Sequence, residues 1–114
     1  MTNIVSIKNI ANHIGEEVTI KGWLYAKTGK GKIQFLQVRD GTGIMQAVLF
    51  KPNLPPETFE AGKRLSQESA VVVSGIVKEN ERAPGVPGGY EIDTASLEVL
   101  QIVESKTIPA NPPF

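Results

Sequence analysis

At 114 residues with 40% hydrophobic content, the chain has the length of one domain and buries roughly 65% of the surface its unfolded form exposes. It contains no cysteine and one histidine, which excludes thiol chemistry and thiolate metal sites, so neither a metal nor a cofactor is expected. The formal net charge is zero, but its distribution is uneven. Residues 27–51 hold five basic residues (Lys27, Lys30, Lys32, Arg39 and Lys51) against Asp40 alone, whereas residues 52–114 hold five basic against nine acidic. The first segment thus carries +4 and the second −4. A basic segment of this kind is the footprint of an anionic partner, although charge runs are also ordinary solvated faces. The start, MTNIVSIKNIANHIG, has no signal-like apolar core, and no run approaches about 20 apolar residues. A cytoplasmic protein without membrane contact is the expectation.

Taken in chain order, Ser6 is placed to cap a short helix reaching about Asn12, with Ile7, Ile10 and Ile14 at helical spacing and Gly15 to end it. His13 near its end has a packing or helix-terminal role, because no partner is in sequence reach to make it catalytic. Val18 to Lys27 reads as a long strand with Val18, Ile20 and Leu24 on one side and Thr19, Lys21, Trp23 and Tyr25 on the other, and Gly22 marks a bend or bulge that lets one strand serve two sheets. Trp23 and Tyr25 either brace the fold or extend an aromatic surface. The run Lys27-Thr28-Gly29-Lys30-Gly31-Lys32 reads as a loop. It lacks the spacing of a phosphate-binding P-loop, which excludes nucleotide hydrolysis, but glycines among lysines suit contact with a phosphate backbone.

The most informative stretch is KGKIQFLQVRDGTGIMQAVLF, residues 30–50. Both arms alternate with period two around the turn Asp40-Gly41-Thr42-Gly43, which predicts a β-hairpin. With Gly41 and Thr42 as the loop residues, Gln37 faces Gln46 and Phe35 lies diagonally beside Gln46. One face then carries Phe35, Gln37, Gln46 and Arg39. The opposite face carries Leu36, Val38, Met45, Ala47 and Leu49, which is the core side. A ring beside a carboxamide suits stacking on and hydrogen bonding to a single-stranded base, and is equally an ordinary pair on a half-buried sheet.

Beyond Phe50, Lys51 to Pro56 breaks the pattern, and Glu57 to Leu65 reads as a helix packing Phe59, Ala61 or Gly62, and Leu65. Ala70 to Lys78 is a β-branched strand expected to be covered on both faces. Glu79 to Gly89 reads as a long loop in which Arg82 is a candidate phosphate contact. Tyr90 to Asp93 and Leu97 to Val103 supply a fifth strand, with an interruption at Thr94-Ala95-Ser96. Residues 1–104 form the domain, and Ser105 to Phe114, with three prolines, reads as a semi-extended linker.

The strings VTIKGWL, GKIQFLQVRDGTGIMQ, KPNLP, QES, SGIVKENERAPG and YEI resemble the N-terminal anticodon-binding domain of bacterial-type asparaginyl-tRNA synthetases along nearly the whole chain. Aspartyl-tRNA synthetases share the phenylalanine, Arg-Asp turn and glutamine, but the Gly-Thr-Gly turn and ERAPG look more like the asparaginyl branch. The resemblance implies an all-β OB-fold, a five-stranded Greek-key barrel with a short N-terminal helix and a helix between strands three and four. It implies tRNA as partner, through a GUU anticodon, with Phe35 stacking on the middle base, Gln46 reading that base and Glu91 contacting a base; Lys27, Lys30, Lys32, Arg39 and Arg82 would meet the backbone, beside Gln37. Thr28 stands about where many relatives carry arginine. The resembling full-length enzymes are homodimers, whereas this domain alone is expected to be monomeric. The class II motifs that activate an amino acid with ATP are not in this sequence, so the chain by itself is expected not to charge tRNA. Two other readings compete: an OB scaffold, free-standing or engineered, with a different partner, and a single-strand binder of weak sequence preference.

Overall fold

The computed structural model describes residues 3–101. The linker expected over residues 105–114 lies outside them, as does the end of the expected fifth strand. Six strands form the sheet: β1 Asn3–Ile4, β2 Glu17–Lys30, β3 Ile33–Arg39, β4 Ile44–Phe50, β5 Ala70–Glu79 and β6 Gly85–Gln101. They are ordered β1-β2-β3-β4-β6-β5, and β2 also pairs with β5, so the hydrogen bonding returns on itself as a ring. No helix of the described residues is long and apolar enough to cross a membrane.

The ring closes because β2 is shared. Its first half pairs with β5, from Glu17↔Ile76 to Trp23↔Ala70, and its second half pairs with β3, from Trp23↔Arg39 to Lys30↔Ile33. The changeover is at Gly22 and Trp23, followed by a register shift between Leu24 and Ala26. A bend near Gly22 was the expectation, and the register shift sits just beyond it. Val18, Ile20 and Leu24 point into the core with Leu36, Leu49 and Val73.

The β3–β4 hairpin has the predicted register, with Gln37 opposite Gln46 and Arg39 opposite Ile44. Its turn also holds the N-terminal segment. Asp40 Oδ1 accepts from the Thr42 amide at 2.8 Å and the Gly43 amide at 3.2 Å, while Gly41 takes φ +89°. Asp40 Oδ2 accepts from the Ile7 amide at 2.9 Å, and Thr42 Oγ1 accepts from the Lys8 amide at 3.2 Å. These two amides open a 3₁₀ helix, Ile7–His13, whose first donors have no partner within it. Ser6 precedes this helix but makes no side-chain cap; the hairpin turn does that work from 33 residues away. Ile7 and Ile10 are buried, but Ile14 is exposed.

Five sequence expectations require correction. The Lys27–Lys30 run is strand, so the β2–β3 connection is only Gly31 and Lys32; cross-strand backbone pairing to Ile33–Leu36 overrides the loop-like composition. The loop expected over Glu79–Gly89 shrinks to residues 80–84, since β6 starts at Gly85. Five strands were expected, and β1 makes a sixth, a two-residue parallel pair with Val18 and Thr19. The interruption expected near Ala95 is a local register shift, with Ser74 opposite Ser96 and Gly75 opposite Thr94, inside one continuous strand. Nor is β5 covered on both faces: Val71, Val73 and Val77 are buried, while Ile76 is exposed.

The connection after β4 contains a 3₁₀ turn, Lys51–Asn53, and then helix α1, Pro56–Arg64. Glu57 lies in its first turn and Lys63 and Arg64 in its last, in the sense the helix dipole favours. The helix buries Phe59 against the core. Gln34, on the core side of β3, is also buried and donates to the Phe59 carbonyl at 2.8 Å.

Candidate nucleic-acid interface

The outer face of the sheet organises its side chains in rows, because directly paired residues on adjacent strands share a face. One row is Gln37, Gln46 and Glu91, from β3, β4 and β6. The adjoining row is Thr28, Phe35, Val48 and Asp93. A third is Trp23, Arg39 and Ile44. Phe35, Gln37, Gln46, Arg39 and Glu91 therefore occupy one surface, although Glu91 is 45 residues from Gln46.

The middle row is hydrogen-bonded along its length. Gln37 Nε2 donates to Gln46 Oε1 at 3.0 Å, and Gln46 Nε2 donates to Glu91 Oε2 at 3.2 Å. Asn80 Nδ2 donates to Glu91 Oε1, also at 3.2 Å. Gln46 is only 8% exposed, so it sits as the floor of the surface with Gln37 and Glu91 half-buried at its sides. Phe35 lines a depression of about 360 Å³ together with Val48, Asn80, Glu91 and Asp93. Lys78 Nζ pairs with Asp93 Oδ2 at 3.1 Å on its rim. An aromatic side wall and a floor of amides can take a planar base and bond its edge.

Sequence reasoning did not single out Asn80. It follows β5, and its backbone amide donates to the Gly89 carbonyl at 2.9 Å, which aims the side chain back at Glu91. The sequence signal was weak, since Asn80 lies in what reads as loop.

Arg39 is committed within the protein: its guanidinium lies 5.3 Å from the Trp23 ring centroid and forms an ion pair with Glu68. It bounds the surface at that end with part of its side chain exposed. The lysines divide. Lys30 pairs with Ile33 in the row adjoining Phe35, whereas Lys27 pairs with Leu36 and so takes the other face. There Lys27 Nζ donates to the Lys63 carbonyl at the end of α1, at 2.5 Å, and partial desolvation holds its ammonium pKa below the ordinary lysine value. Lys27, Lys30 and Lys63 line a second, open depression of about 440 Å³ around the β2–β3 turn. Lys32 is exposed in that turn. Arg82 is exposed in the 80–84 loop, its backbone amide donating to Asn80 Oδ1 at 3.1 Å.

A sheet closed by one long strand, β2, shared between two neighbours, with an aromatic ring and carboxamides on its open face, defines the OB class of nucleic-acid-binding domains. The chain belongs to this family: the family described as OB-fold nucleic acid binding domain matches residues 18–100. It is 48% identical over 111 residues to the asparagine–tRNA ligase of Koribacter versatilis, covering 97% of this chain and 23% of that enzyme. Among solved structures, asparaginyl-tRNA synthetase from Pyrococcus horikoshii complexed with asparaginyl-adenylate superimposes with a TM-score of 0.84 at 44% identity, over 98% of this chain and 25% of that one. An OBody, AM2EP06, bound to hen egg-white lysozyme superimposes with a TM-score of 0.76 at 26% identity, over 87% of this chain and 94% of that one. The chain thus spans about a quarter of the length of the synthetases it matches.

Proposed function

We propose that the chain is the anticodon-binding domain of an asparaginyl-tRNA synthetase, that its closed sheet serves as the five-stranded OB barrel with β1 as an appendage, and that its outer face reads a GUU anticodon. The observation that carries this reading is the convergence of Phe35, Gln46 and Glu91 from three strands onto one face of the sheet, where Phe35 and Glu91 line a depression and Gln46 bonds to Glu91. Phe35 stacks on the middle base, and Gln46 presents its carboxamide to the Watson–Crick edge of that base. Lys30 and Lys32, exposed at the β2–β3 turn, and Arg82, exposed in the 80–84 loop, would meet phosphates and position the anticodon loop without reading it. Lys27 lies on the far side of the hairpin and contributes through the charge of the β2–β3 turn. Arg39 orders the Trp23 end of the face through its pairing with Glu68. Aminoacylation would belong to the remainder of the enzyme.

The likeness to the OBody chain supports the second reading, a scaffold whose exposed face serves a protein partner. Titration of the chain with a GUU anticodon stem-loop and a middle-base variant, at one fixed salt concentration, separates the two. The expected result is a preference for GUU of about 1 kcal/mol or more. Equal binding to both loops identifies a generic electrostatic binder. Absence of binding to either refutes RNA reading by this chain alone and favours the scaffold.

Phe35→Ala is expected to weaken stem-loop binding by about 1–3 kcal/mol, the value of one lost stack. Because Phe35 is half-buried on the outer face, its loss should leave the folded core largely intact. An unchanged affinity would show that the base stacks elsewhere.

A further inference from the structure

We infer that Glu91 is a positioning residue whose carboxylate fixes the rotation of the Gln46 carboxamide, and that this orientation lets the site distinguish uracil from cytosine. The inference rests on the anticodon-reading function proposed above. A primary carboxamide is nearly symmetric in shape, and its two rotations exchange a donor for an acceptor. Turned one way, it donates to uracil O4 while accepting from uracil N3–H. Turned the other way, it accepts from the cytosine N4 amino group while donating to cytosine N3. A freely turning glutamine therefore accommodates both pyrimidines.

In this structure Gln46 is not free to turn. Glu91, when ionised, only accepts, so the group facing it must be Nε2 of Gln46. Gln46 Oε1 is then directed to the opposite side, where Gln37 Nε2 donates to it. Asn80 donates to the other oxygen of Glu91. The donors thus converge on one carboxylate: Gln37 to Gln46 to Glu91, and Asn80 to Glu91. Turning Gln46 over would place Oε1 against the carboxylate and Nε2 against the Gln37 amino group, leaving two like-polarity contacts on a residue that is 8% exposed. Each end of Gln46 spends one hydrogen-bonding site on the protein and keeps one for a base. Glu91 also has both oxygens engaged by protein amides, which assigns it to orienting Gln46.

The decisive variant is Glu91→Gln, which keeps size and hydrogen bonding but can present either an acceptor or a donor to Gln46. The 114-residue chain, wild type and variant, is titrated with anticodon stem-loops carrying uracil or cytosine at the middle position. Wild type is expected to prefer uracil by about 5-fold or more, and the variant by about 2-fold or less, because the cytosine loop gains on the uracil loop once Gln46 can turn. A residue that merely supported the fold would lower both affinities together. Retention of the wild-type ratio in the variant overturns the inference.

A second measurement needs no RNA. In the free wild-type protein, the Gln46 side-chain amide should show one Nε2 proton that is shifted downfield and slow to exchange, and Glu91→Gln should abolish this signature. If neither stem-loop binds wild type, the anticodon reading fails, while this spectrum still decides whether Glu91 orients Gln46. Indistinguishable Gln46 side-chain signals in the two proteins refute the orientation itself.

Discussion

Phe59→Ala is expected to cost about 3–5 kcal/mol of folding stability while leaving stem-loop affinity nearly unchanged at temperatures where the variant is folded. Phe59 is 1% exposed and is the largest fully buried side chain of the core. It anchors α1, and its carbonyl accepts the buried Gln34 carboxamide, so truncation both opens a cavity and loosens the segment that satisfies Gln34. The Lys51 and Lys63 ammonium groups lie 5.9 Å and 5.3 Å from the ring centroid, and both lose that contact as well. Since small domains are stable by about 5–15 kcal/mol, the midpoint of urea unfolding should fall by a large fraction. Affinity should survive because β3 alternates: Gln34 and Leu36 face the helix and core, while Phe35 and Gln37 face the other way. Phe35→Ala should show the reverse, with weak binding and a stable fold. A Phe59→Ala midpoint within about 1 kcal/mol of wild type would mean that α1 is an ornament to the core.

Which parts of this arrangement could be read from the residues depended on how local their causes were. The β3–β4 hairpin was legible because alternation and the Asp-Gly-Thr-Gly turn together allow one register, and a slip by one residue would expose Leu36 and Leu49. Helix α1 was legible from its breaker, its period and its charged ends. The strand character of Lys27–Lys30 was not, since glycine and lysine carry little strand propensity, and only the opposing backbone of Ile33–Leu36 recruits them. The same reason hid the start of β6, where Gly85, Gly88 and Gly89 all take positive φ. Gln34 reads as one more polar residue in an alternating strand until α1 supplies the carbonyl that buries it. Within the site, Phe35, Gln37 and Gln46 follow from the hairpin alone. Glu91 came only through family resemblance, and Asn80 not at all, because both reach the site through the β5–β6 return.

Gly22→Ala is expected to lower both stability and RNA affinity, unlike either phenylalanine variant. Gly22 sits where β2 leaves β5 for β3, and the backbone of Arg39 passes directly over it. A Cβ there would fall inside the contact distance of the Arg39 carbonyl oxygen, 2.9 Å from the carbonyl carbon and 3.1 Å from Val38 Cγ1. A carbonyl oxygen in a strand cannot rotate aside as a side chain can, so β3 must move away from β2 at this end. The displacement acts on the Trp23–Arg39–Glu68 cluster and, through β3, on Gln37 and its bond to Gln46. Overpacking against fixed backbone lies at the upper end of the range for such substitutions, about 3 kcal/mol, read from the unfolding midpoint. The accompanying loss of stem-loop affinity should fall on discrimination between middle bases as well as on binding strength, because the amide row starts on the displaced strand. Adding Val38→Ala tests where the crowding lies. If the carbonyl is the obstacle, the double variant shows no recovery beyond the cost of Val38→Ala itself; recovery of more than about 0.5 kcal/mol would move the obstacle to the Val38 side chain and free the strand crossing from its need for glycine.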